Sequence, residues 1–152
     1  MVAEPREPAN SPDLEATAGA FQVLGLPRRL RILQLFTRVD GTLCGCELAD
    51  VLELEDYQVS RDLSALRKAG LVQAGARRGT WVHYRLPEDP QPGVAPVLEL
   101  VAALPLDPVD GARLELRLDF RERAGTVLGV GDPEVLAALD GIATSRRLTV
   151  LP

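Results

Sequence analysis

Apolar residues recur at helical spacing from residue 13 onward. Leu14, Ala18, Phe21 and Leu24 fall three and four apart, which predicts a first helix, with Asp13 capping its first turn and its end near Gly25. Pro27 fits the first position of a second helix, on which Leu30, Leu33, Leu35 and Phe36 face one way while Arg28, Arg29, Arg31 and Arg38 face solvent. Asp40-Gly41 then turns the chain. A short third helix follows over residues 46–52 and a fourth over 57–69, where Val59, Leu63 and Leu66 form the apolar stripe and Gly70 supplies a left-handed cap. Two short helices about four residues apart are the spacing of a helix-turn-helix.

Past Gly70 the period changes. Residues 71–76 and 80–86 are β-prone runs flanking Arg77-Arg78-Gly79, which predicts a hairpin with a basic tip. A hairpin directly after a helix-turn-helix is a wing. The stretch 87–93 (PEDPQPG) breaks the chain, and residues 94–104 form a further helix with Val97, Leu98, Val101 and Leu104 on one side. So small a core leaves that helix without a partner, so it is expected at a subunit interface. Residues 113–121 alternate like a strand, but their Leu, Arg and Glu content favours helix, and they are read as helix. Residues 126–130 are expected as a short strand, 133–139 as a helix and 148–151 as an extended tail. The first twelve residues combine Pro, Glu and Asn with little apolar content and read as a loose tail. The expected fold is mainly α with a small β-hairpin, a winged helix-turn-helix dimerising through terminal helices. Its divisions are a tail (1–12), a DNA-binding and dimerisation domain (13–104) and a C-terminal extension (105–152).

Composition narrows this picture without changing it. With 152 residues and 46% hydrophobic content the chain has material for one compact core, and 4% aromatics leaves that core to Leu, Val and Ala. No uncharged apolar run is long enough to cross a membrane and the N-terminus lacks a basic-then-apolar leader, so the expectation is a soluble cytoplasmic protein. The net charge of −5 hides its arrangement: between residues 57 and 86 six bases (Arg61, Arg67, Lys68, Arg77, Arg78 and Arg85) face one acid, Asp62. A local +5 on an acidic body is what a phosphate-reading face needs, although a solvated basic face has the same composition.

Three segments in order, LCGCELADVLEL, YQVSRDLSALRKAGLV and RRGTWVHYRL, resemble the ArsR/SmtB family of metal-responsive repressors, and the first resembles the box of its arsenic-responsive branch. The resemblance covers about residues 20–104. It implies a homodimer whose residues 57–68 form a recognition helix in the major groove, two such helices about 34 Å apart facing an inverted-repeat operator on double-stranded DNA. Ser60 and Arg61 match the family's Ser-Arg pair: Ser60 would bond a phosphate or base edge and Arg61 a phosphate or guanine. Gln58 would read adenine, Arg67 and Lys68 would hold phosphates, and Arg77 and Arg78 at the wing tip would reach the minor groove or backbone. Asp56 stands where the family often has Gln and Asp62 where it often has His, which places an acid close to the DNA.

Cys44 and Cys46 carry the remaining chemistry. A Cys-x-Cys pair brings two thiolates together when the backbone turns, which fits a soft two- or three-coordinate ion, with As(III) or Sb(III) as inducer ahead of a tetrahedral metal. Cysteines one residue apart on regular backbone would strain a mutual disulfide, so reduced thiols are expected. The position of a further family Cys is Ala49, and the chain has no third Cys, leaving two sulfurs plus an exogenous thiol or hydroxide. Binding at the start of the third helix would distort it and release DNA. Three other readings stay open: two small buried apolar side chains, a thiol redox switch, and a constitutive DNA binder. The single His83 reads as structural, and with no base–nucleophile pairing or phosphate loop, neither catalysis nor an organic cofactor is expected.

Overall fold

The computed structural model describes residues 11–78, 81–125, 128, 129 and 131–150, leaving aside the side chains of residues 76, 78, 81 and 143–150. The expected tail lies outside these residues save for Ser11 and Pro12. Ser11, with extended backbone, is the N-cap of α1 (Pro12–Val23), and its hydroxyl accepts from the Leu14 amide at 3.2 Å. Ser11, not Asp13, therefore caps the helix, because Pro12 already fills the first helical position. Pro27 likewise opens α2 (Pro27–Thr37), which buries Ile32, Leu33, Leu35 and Phe36.

Between α2 and the helix-turn-helix lies β1 (Leu43–Cys44), a two-residue strand too short to show a period. It pairs antiparallel with β3 (Trp81–Arg85), Leu43 opposite Tyr84 and Cys44 opposite His83, and β3 pairs with β2 (Gln73–Arg78). The wing is thus the outer part of a sheet of order β1-β3-β2. α3 (Gly45–Leu52) and α4 (Asp56–Lys68) are joined by three residues, with Glu53 in the left-handed region at φ 56°. Gly70, at φ 76°, turns the chain after α4 into the wing, and there a side chain would strain the backbone.

α5 (Ala95–Ala103) has a partner after all. Val97 and Val101 are buried in the common core against α2, because the 87–93 segment folds back and brings Gly93 into backbone contact with Asp13 of α1. A Cβ at Gly93 would lie 2.1 Å from the Asp13 carbonyl, so only glycine permits that approach. Residues 113–121 are helical, inside α6 (Pro108–Ala124), which Asp107 caps by accepting from the Val109 amide at 2.8 Å. α7 (Pro133–Val150) runs through residues 148–150, where an extended tail was expected. The strand expected over 126–130 falls mostly outside the described residues, and Leu128 and Gly129 belong to no strand. The core is continuous from α1 to α6 and contains Leu114 beside Leu33, Leu48 and Leu66. At roughly 1.5–3 kcal/mol per buried aliphatic side chain, this shared core is the main term holding the helices together.

Candidate thiol and nucleic-acid-binding site

The cysteines sit where a strand becomes a helix. Cys44 ends β1 in extended conformation and is the N-cap of α3, while Cys46 is already helical. That change of direction across Gly45 brings their Cα atoms to 5.4 Å, and the two sulfurs are joined in a disulfide. The expectation of separate, reduced thiols is corrected here. It assumed regular backbone through both residues, whereas the strand-to-helix turn makes the side chains converge. Both are buried, at 1% and 4% exposure. Glu47 pairs with Cys44 in a capping box, its Oε1 accepting from the Cys44 amide at 3.0 Å.

Three arginines of α6, four residues apart and so on one face, grip α3 along its length. Arg113 donates to the Val51 and Asp50 carbonyls at 2.6 and 2.8 Å, satisfying the C-terminal end of α3. Arg117 pairs with Asp50 at 3.0 Å. Arg121 donates to Glu47 Oε1 at 3.1 Å and to the Thr42 carbonyl at 3.0 Å, at the cysteine end. Burial pushes the Asp50 carboxyl above its usual range, and the Arg117 charge and the Gly131 amide offset only part of that. No sequence signal marked these contacts, since Arg and Glu in a helix are ordinarily read as its wet face.

α4 carries the other half of the site. Glu55 caps it in a box with Gln58, whose Oε1 accepts from the Glu55 amide at 3.1 Å. Ser60, Arg61, Arg67 and Lys68 are exposed. Asp62 is fully buried beneath them and binds Arg28 Nη2 at 3.1 Å and Arg29 Nε at 3.0 Å, with Arg28 Nε also donating to it. Burial raises the Asp62 carboxyl, but the two guanidinium hydrogen bonds outweigh it and hold the group below its ordinary value. β3 contributes His83, whose Nδ1 is 3.2 Å from the Thr42 hydroxyl.

The family model described as "Bacterial regulatory protein, arsR family" matches residues 27–74. A protein of Methanocaldococcus jannaschii described as an uncharacterized HTH-type transcriptional regulator is 37% identical over 75 residues, 49% of this chain and 82% of that protein. The chain belongs to the ArsR family. Two further relatives are named for arsenic. The arsenic resistance transcriptional regulator ArsR1 of Pseudomonas putida is 46% identical over 72 residues, 47% of this chain. The arsenical resistance operon repressor of Escherichia coli is 39% identical over 66 residues, 43% of this chain. The match spans little more than half the length of each, 55% in both cases.

In this ArsR-family chain the anticipated residues sort cleanly. Ser60 and Arg61 share the exposed face of α4, Arg67 and Lys68 stand exposed near its end, and Arg77 is exposed on β2. The Arg78 side chain lies outside the described residues. Gln58 is half-buried and spends its carbonyl oxygen on the capping box. Asp62 does not place an acid against DNA: it points inward, and Arg28 and Arg29, expected to face solvent, are its partners. Arg31 is likewise paired, with the buried Asp110 at 2.9 Å.

Proposed function

We propose that the chain is a homodimeric transcriptional repressor, working in the cytoplasm, that leaves an inverted-repeat operator when As(III) or Sb(III) binds reduced Cys44 and Cys46. The observation that carries this reading is the convergence of the two sulfurs at the first turn of α3, the helix that a three-residue turn joins to α4. Soft thiolates at a helix N-terminus favour a thiophilic, low-coordinate ion. A metalloid drawn onto both sulfurs must move the cap of α3, and α3 packs directly on α4. Only a difference in affinity between two arrangements can shift their populations, and the cap supplies one. The names of the P. putida and E. coli relatives support arsenic as the element.

Operator contact falls to Ser60, Arg61, Arg67, Lys68 and Arg77, with Gln58 and Arg78 as further candidates. Exposed Leu14 and Phe21 on α1 and Leu100 on α5, two helices in contact, support dimerisation through that pair. The test is a gel shift of the reduced chain on its upstream inverted repeat with As(III), Sb(III), Cd(II), Zn(II) and peroxide. Release by As(III) or Sb(III), abolished in the Cys44→Ser/Cys46→Ser double variant, is the expected result. The disulfide favours a second reading, in which oxidation itself is the signal. Release by peroxide and not by arsenite selects it.

A further inference from the structure

Beside Cys46 lies a cavity of about 230 Å³, walled by Gly45 and Cys46 of α3, Val59 and Leu63 of α4, and Val82 and Tyr84 of β3, with Asp56 and Ser60 at its polar side. It joins the cysteine turn to the recognition helix. An apolar cavity of roughly 150 Å³ is enough to hold a benzene ring. Gly45 helps to keep this space open. Its φ lies outside the left-handed region, so the backbone does not require glycine, and a Cβ there would meet only Val59 Cγ1 at 3.7 Å and Leu63 Cδ1 at 3.9 Å, ordinary contact distances. What the missing side chain provides is room.

Coordination chemistry says what fits. The chain offers two thiols and no third, and Ala49 is a buried core residue. Inorganic arsenite bound here takes its third substituent from outside the chain, a hydroxide or an exogenous thiol, against mostly apolar walls. A monosubstituted trivalent arsenical, R–As(OH)2, brings its own third substituent as a carbon group, so two thiolates complete it.

We infer that the cavity between α3, α4 and β3 is a subsite for the carbon substituent of a monosubstituted trivalent arsenical held by Cys44 and Cys46. This rests on the proposed metalloid reading and names its ligand class. In the binding step each thiol forms an S–As bond as an As–OH bond breaks, and the two thiol protons leave with the hydroxides as two waters. Arsenic stays trivalent. The disulfide is first opened by two equivalents of an exogenous small thiol, which together supply two electrons and two protons and are oxidised to one disulfide. The seated substituent touches Val59 and Leu63, so it pushes on the recognition helix directly as well as through α3.

The test is operator release from the reduced full-length chain, titrated with phenylarsine oxide, methylarsonous acid and arsenite. For the wild type, phenylarsine oxide is expected to act at a concentration at least tenfold below arsenite, with the methyl compound between them. Filling the cavity by Gly45→Val, or by Val82→Phe from its β3 wall, is expected to shrink that ratio about tenfold. Gly45→Ala, which meets no close contact, should shift it in the same direction by less and serves if the larger variants do not fold. A wild-type ratio near one, or a ratio unchanged in folded cavity variants, overturns the subsite while leaving the metalloid reading intact. If no arsenical binds at all, or the double cysteine variant responds as the wild type does, the metalloid reading has failed and the subsite with it.

Discussion

Arg117 and Asp50 form an ion pair at 3.0 Å in which neither side chain is more than 3% exposed, joining α6 to the middle of α3. Removing one member of such a pair leaves a buried charge uncompensated, at a cost of about 3–5 kcal/mol. Arg117→Met is therefore expected to lower the urea midpoint by that equivalent, and Arg117→Met with Asp50→Leu to recover much of the loss.

Arg121→Gln should behave differently, because Arg121 meets Glu47 at the cysteine end of α3 and is partly exposed. Its loss removes the cation beside the capping box. The expected outcome is faster hydrogen exchange at the Cys44 and Glu47 amides with little change in the Leu63 and Leu66 amides of α4.

Asp62 sets a dependence on acid. Its carboxyl is held below the ordinary value, so the stability it contributes is present above about pH 3.9 and is lost as pH falls through the lower, folded-state value. Asp50, whose carboxyl is raised, acts with the opposite sign, gaining stability as it is protonated. Urea midpoints for wild type and Asp62→Asn should therefore differ most at neutral pH and converge in strong acid.

Arg61 and Arg77 are exposed, and neither has an ion-pair partner among the described residues. If each neutralises one phosphate, Arg61→Gln and Arg77→Gln should each reduce the slope of log affinity against log salt by about one. Arg85, paired with Glu88 at 2.8 Å, should change it much less.

How much of this was legible depends on which interactions set each part. Pro27, Gly70 and the Val59–Leu63–Leu66 stripe announce α2 and the helix-turn-helix because start residues, caps and period are local properties of sequence. The exposed bases of α4 were legible for the same reason. The disulfide was not, because it depends on a change of backbone direction at one residue, Gly45, that no period records. Nor were Asp62 with Arg28 and Arg29, or Arg113, Arg117 and Arg121 with α3, since a charge reads as surface until its partner, 33 to 74 residues away, is known.

The grip of α6 on α3 also bears on where the protein can be cut. The family match ends at residue 74, yet Asp50 and Glu47 inside it are buried against cations supplied from residues 117 and 121. A fragment trimmed to the recognisable motif would carry two acids into its interior with nothing to balance them. The portable unit is set by charge neutrality, and it extends at least through α6.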